Sequence, residues 1–275
     1  MGADTSVETN RRRRAPPRLV TVLRAARPTP NVVRLTFGGD ALADFPEGHE
    51  SANVKLLLRR DGQDEASYLA ALAGEGERPV KRTYTVLAHR PPDGARGAEL
   101  DVDFALHGRA GPATRWALAA APGDRVGLAG PGAPKLADPD ADWFLFAGDA
   151  SALPAIDANL RALPRGATGH VVVEVLDAAD RRELDAPPGV AVRWIVNPDP
   201  EAPMRPLVAA VKGIEWPGGT PAVWVAGETG AVRELRAWLV HERALDRARR
   251  YTSGYWQVGL DEDGHQLVKR AEPMD

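Results

Sequence analysis

The residues best suited to chemistry lie between Arg82 and Trp116 of this 275-residue sequence: Arg82-Thr83-Tyr84-Thr85, then Asp103-Phe104-Ala105-Leu106-His107-Gly108, then Gly111-Pro112-Ala113-Thr114-Arg115-Trp116. A guanidinium offers a phosphate a rigid fork of donors and keeps its charge at any working pH. On a strand, Tyr84 shares the face of Arg82, so its ring can pack on a flat cofactor ring while Thr85 reaches a ring heteroatom. His107 ends a strand before a glycine turn, where one ring nitrogen can hold a phosphate or a ring edge. Gly111-Pro112-Ala113-Thr114 opens a helix whose first N–H groups and dipole favour an anion. A flavin dinucleotide needs all of these together, a cradle for its pyrophosphate and a flat apolar wall for its ring. Taken singly, each block has an ordinary reading: a surface arginine with a core tyrosine, a hydrogen-bonding histidine, a helix start that binds nothing. Trp116 suits a core as well as a cofactor wall. The order and spacing of the blocks favour FAD.

A second set lies further on. Ala147-Gly148-Asp149-Ala150-Ser151-Ala152-Leu153-Pro154 joins a strand to a helix, and Ala226-Gly227-Glu228-Thr229-Gly230 repeats that kind of turn. The carboxyl ends of strands are where an open α/β sheet binds nucleotides, so both turns are expected to edge one crevice. The segment carries no G-x-G-x-x-G, and an ordinary strand-to-helix turn is the competing reading.

These sites need two kinds of framework. Val33, Leu35 and Phe37 alternate with polar neighbours, and Asn53 to Leu58, Arg82 to Ala88, Glu99 to His107 and Asp124 to Leu128 are further strand candidates between Gly and Pro turns. They predict an antiparallel barrel, interrupted by a helix from Pro112 to about Ala120. From Trp143 to Val240 apolar strands alternate with helical segments, Met204 to Val211 among the latter, which predicts a parallel sheet flanked by helices. The expected fold class is a β barrel plus α/β. Residues 1–15 read as a disordered basic tail, 16–132 as an FAD-binding barrel domain, 133–142 as a linker and 143–275 as an NAD(P)H-binding-type α/β domain.

The composition is that of a globular protein, 44% hydrophobic and 27% charged, with a net charge of -3. Neither nucleic acid nor an anionic membrane is the expected partner. The sequence has no cysteine, which excludes disulfides, thiolate-held iron–sulfur clusters and a cysteine nucleophile, and suits a reducing cytoplasm. The six histidines form no metal-binding pair. No apolar run approaches the roughly 20 residues of a membrane span.

The barrel blocks, Gly148-Asp149 with Ser151-Ala152-Leu153-Pro154-Ala155, Val223-Trp224-Val225-Ala226-Gly227-Glu228, and Gly254-Tyr255-Trp256 together resemble the siderophore-interacting protein family from about Val20 to Gly259. Those proteins are flavin-dependent ferric-siderophore reductases of the ferredoxin-reductase-like superfamily. The resemblance implies FAD at Arg82, Thr83, Tyr84, Thr85, Asp103, His107, Gly111, Ala113, Thr114 and Trp116. It implies a nicotinamide donor, NADPH or NADH, at Gly148, Asp149, Ser151, Ala152, Leu153, Pro154, Gly227 and Glu228, or a ferredoxin as the source of electrons. The substrate implied is a ferric siderophore, with Lys55, Arg115 and Trp256 as contacts and Lys269 and Arg270 as weaker candidates. Ala150 and Gln257 depart from the family's usual Glu and Arg. Two rivals share the evidence: a related flavoenzyme with another acceptor, and a siderophore-binding protein without reductase activity. Neither a catalytic dyad nor a metal site is expected.

Overall fold

The computed structural model describes residues 16–106, 110–199, 205–260 and 264. The expected basic tail, His107, Lys269 and Arg270 lie outside these residues. The first unit contains β1 (Arg18–Thr29), β2 (Val32–Gly38), β3 (Asn53–Leu58), α1 (Glu65–Ala73), β4 (Val80–Thr85), β5 (Ala88–Arg90), β6 (Glu99–Ala105), α2 (Pro112–Ala119) and β7 (Arg125–Ala129). Its strands form one antiparallel sheet in the order β4-β3-β7-β1-β2-β6-β5, curled into a half-barrel. Alternation drives the curl: Val54, Leu56, Leu100, Val102 and Phe104 bury inward, while Glu99, Asp101 and Asp103 leave β6 on the other face. The expected strand from Arg82 to Ala88 breaks after Thr85. There the chain turns a corner of the barrel, with Val86 N–H bonding to Ala52 and Leu87 N–H to Asp101, so it leaves β3 and joins β6.

The second unit contains β8 (Trp143–Asp149), α3 (Leu153–Ala162), β9 (Thr168–Val175), β10 (Gly189–Val196), α4 (Arg205–Lys212), β11 (Pro221–Glu228), α5 (Thr229–His241) and β12 (Arg250–Trp256). All five strands are parallel, in the order β10-β9-β8-β11-β12. β8 and β11 are buried along their whole lengths, as apolar strands covered by helices on both faces must be. The strand order reverses direction between β8 and β11, which opens a crevice at their carboxyl ends.

One crossover differs from the expected alternation. Between β9 and β10 a 3-10 turn at Ala178–Asp180 replaces a helix, followed by an irregular run into Pro187-Pro188. Consecutive prolines remove two backbone donors and disfavour helix before them. This segment docks on the barrel. Asp180 accepts from the Asn31 backbone at 2.9 Å and its side chain at 2.8 Å, and Arg182 reaches Asp103 at 3.0 Å. Arg161 of α3 adds a bond to the Leu87 carbonyl at 2.9 Å.

Candidate cofactor and donor sites

β4 places Arg82 opposite Leu56 and Tyr84 opposite Val54, so both side chains lie on the core-side face of the barrel wall. Thr83 and Thr85 point the other way, beside Lys55 and Asn53. Arg82 is buried, and its Nη1 donates to the Lys81 carbonyl at 2.8 Å, which steadies the guanidinium against its own strand. The Tyr84 ring leans on Phe104 at 4.3 Å. Trp116 packs on both Phe37 and Phe104 at 6.3 Å, so the barrel core accounts for its burial.

α2 supplies the anion end. Pro112 starts the helix from the extended Gly111, and Ala113 and Ala117 bury against the core. No side chain caps this start, whereas Asp64 caps α1 and Glu228 caps α5. Among the described residues nothing caps the N–H groups at Ala113 and Thr114, so they carry the open end of a helix dipole on a helix packed against β2 and β6. A guanidinium, an aromatic face and an uncapped helix start form a donor set that fits FAD.

The Asp103 side chain is engaged within the protein. Both its oxygens are engaged on the outer face, by Arg34 at 2.6 and 2.9 Å and by Arg182 at 3.0 Å, so it ties the two units together. It belongs to a longer ladder in which Arg24 and Arg90 grip Glu99, and Arg90 and Thr36 grip Asp101. Hydrogen bonds from Arg24 and then Arg90 outweigh desolvation and hold the Glu99 carboxyl down to about 2.

The two turns of the second unit do meet. Ala226 is registered beside Gly148, and a side chain at Gly148 would come within 2.4 Å of the Ala226 carbonyl. Only a glycine lets the strands approach there. Asp149 is buried and accepts four bonds: from Ser151 N–H at 2.8 Å, Ser151 Oγ at 2.5 Å, Glu228 N–H at 2.8 Å and Trp256 Nε1 at 2.9 Å. The carboxylates of Asp149 and Glu228 face their own chain, the latter capping Ala231 N–H at 2.9 Å. The side chains of Ala152, Leu153 and Pro154, at the start of α3, are buried. What borders the crevice is the backbone of Gly148 and Gly227, with Ser151 half-exposed at its rim.

Sequence reasoning does not single out Glu174. It sits at the end of β9 beside Asp149, bonded to Asn197 at 2.9 Å and to Leu207 N–H at 3.1 Å. Burial pushes its carboxyl above the ordinary range, and the neighbouring Asp149 charge adds to that. Its cue was faint, one acidic residue inside a β-branched run.

The two units touch where the sites face each other. The Tyr255 side chain of β12 lies against Thr85 of β4 and against Tyr251, and Tyr251 stacks on Trp224 at 5.2 Å. The flavin-edge residues and the strand-end crevice therefore adjoin.

Of the expected substrate contacts, Lys55 bonds to Thr83 at 2.5 Å on the outer face of β3, and Trp256 to Asp149. Arg115 folds back to the Ala110 carbonyl at 3.0 Å and lines a separate groove of about 800 Å³. Arg59 and Arg60 share that groove with Asp61, Asp64, Glu75 and Glu77, so its charge is mixed. Among the described residues no group of acidic or histidine side chains could hold a metal ion.

Residues 21–135 match the siderophore-interacting FAD-binding domain, and residues 141–259 match the siderophore-interacting protein domain. The ferric vibriobactin reductase ViuB of Vibrio cholerae is 34% identical over 90% of this chain and 92% of its own length. The chain belongs to the siderophore-interacting protein family. Another relative is the NADPH-dependent ferric-chelate reductase of Escherichia coli, 28% identical over 88% of this chain and 93% of that protein. The crystal structure of the siderophore-interacting protein SipS from Aeromonas hydrophila superposes with a TM-score of 0.82 at 36% identity, over 93% of this chain and 97% of SipS. Both halves of the family are thus present in this chain, in the same order as its two sheets.

Proposed function

We propose that this protein is an FAD-dependent ferric-siderophore reductase that takes electrons from a nicotinamide dinucleotide. Bound FAD supplies an acceptor for an electron pair that can be handed on singly. The chain's own residues bind and orient. Arg82 and the start of α2 hold the pyrophosphate, Tyr84 backs the flavin ring, and Thr85 holds its edge toward the second unit. The crevice at Gly148 and Gly227 receives the donor, with NADPH favoured by the name of the Escherichia coli relative. Siderophores grip Fe(III) through hard oxygen donors that suit Fe(II) less well, so one-electron reduction loosens the iron for capture elsewhere. No side-chain acid or base has to move a proton. Lys55, beside Thr83 on the face shared with Thr85, is the cation we place nearest the ferric chelate. The mixed charge around Arg115 makes it the weaker contact. No helix among the described residues is long and apolar enough to cross a membrane. We place the activity in the cytoplasm, where nicotinamide donors are replenished.

The observation that carries this reading is the contact of Thr85 with Tyr255, which brings β12 of the second unit against the strand that bears Arg82 and Tyr84. The test is the anaerobic visible spectrum of the FAD-loaded protein. NADPH is expected to bleach the flavin bands, and a ferric siderophore to restore them with release of Fe(II). A protein that cannot be loaded with FAD would overturn the proposal. Loaded protein bleached only by reduced ferredoxin would reassign the donor.

A further inference from the structure

Trp256 ends β12, which lies beside β11, and β11 lies beside β8. Neighbouring strands are about 4.8 Å apart, yet the Trp256 indole bonds to Asp149 at the end of β8 at 2.9 Å. The indole must therefore reach across the end of β11. The chain leaves room for it there. Gly227 has a φ of 134°, and a side chain on it would come within 2.4 Å of Asp149 Oδ2, the oxygen that accepts both the indole N–H and the Glu228 N–H. The Thr229 hydroxyl fastens the Trp256 carbonyl at 2.8 Å. Tyr255, one residue earlier, meets Thr85 of the barrel from the α3 face of the sheet, while Trp256 packs on the α4–α5 face, so the indole lies at the strand ends one residue beyond the contact between the units. A planar indole fixed across the reversal point of the sheet suits a planar heteroaromatic ring laid on it.

We propose that Trp256 forms the floor of the donor crevice, on which the nicotinamide ring rests, and that Asp149 is the positioning residue that holds the indole there. This rests on the nicotinamide-donor reading above, and it moves Trp256 from the substrate side to the donor side. Asp149 makes no contact with the donor and acts through Trp256 and the two glycine turns. In Asp149→Asn the amide keeps the fit but turns an NH2 toward donors that need an acceptor.

The experiment is stopped-flow reduction of FAD-loaded protein by NADPH and by NADH, without oxygen, over a range of donor concentrations. Asp149→Asn is expected to raise the donor concentration for half-maximal rate at least tenfold, while the rate at saturation falls less than threefold. Trp256→Phe, which deletes the bonded N–H, is expected to show the same split. The double variant should be no worse than the weaker single one, because both remove one interaction. Wild-type concentration dependence in Trp256→Phe would overturn the inference, even if Asp149→Asn failed to fold. An additive double variant would overturn the coupling between the two residues. If neither nucleotide bleaches the wild type, the donor reading fails first and the inference falls with it.

Discussion

At the scale of single residues, the site depends on where two side chains of β4 point. Arg82 is buried on the barrel wall, and nothing but a guanidinium supplies planar, permanently charged donors from that depth. Arg82→Ala is expected to weaken FAD binding ten- to a hundredfold, the effect of losing a charge-assisted bond of about 1.5–3 kcal/mol. Titration of the FAD-free protein with FAD, followed by quenching of flavin fluorescence, measures it. Unchanged affinity would remove Arg82 from the cofactor site. Tyr84→Leu keeps apolar bulk but loses the flat ring, so a shift of the visible flavin bands with a smaller loss of affinity is expected. Identical spectra would mean that Tyr84 serves only the packing on Phe104.

At the scale of elements, the parallel sheet depends on close approach of its central strands. Gly148→Val pushes atoms into the Ala226 carbonyl and the Ala152 side chain, and neither can swing away. A loss of about 2 kcal/mol or more in denaturant unfolding is expected from such overpacking. The outer ladder of the barrel makes a pH prediction. Glu99 is held at about 2 from an ordinary 4.5, so its ion pairs stabilise fully above about pH 4.5 and are lost as the pH falls through about 2. The stability gap between wild type and Glu99→Gln should be widest near neutral pH and close toward pH 2. A gap that stays constant down to pH 2 would assign Glu99 a packing role alone.

The same elements mark what the sequence makes legible. Strong alternation exposes β2, β3 and β6, and continuous apolar runs expose β8, β9 and β11, because burial on one face or two writes those periods directly. β1 is exposed from Leu23 to Pro28, with Arg24, Arg27 and an Ala pair in that run, so it shows no clean period. α1 is short and alanine-rich, with only Asp64 and Gly74 to mark its ends. The FAD blocks are legible because they are local. The roles of Asp103, Asp149 and Glu174 are not, since Arg34 and Arg182, Glu228 and Trp256, and Asn197 and Leu207 reach these carboxylates from strands and turns far away in sequence.

At the scale of the whole molecule, function needs the crevice held against the cofactor face, and the helix-free crossover between β9 and β10 does much of that holding. Asp180 sits in it as a buried carboxylate. Burial alone would raise its carboxyl, but bonds from Asn31 and from the Asp177 N–H keep it below the ordinary range, so the charged form is the one docked on the barrel. Asp180→Ala leaves the half-buried Asn31 N–H without its acceptor, a cost at the low end of the about 1–3 kcal/mol for an unsatisfied buried donor. That cost falls on the contact between the units, since neither sheet's core includes Asp180. Faster amide exchange is therefore expected at the β1–β2 turn and through residues 178–188, with the centres of β8 and β11 still protected. Reduction by NADPH should slow as well, because Thr85 and Tyr255 adjoin only while the units stay docked. Loss of exchange protection throughout the α/β sheet would instead make Asp180 part of that sheet's stability. Unchanged exchange at Asn31 would mean that the ladder from Asp103 to Arg182 holds the units without it.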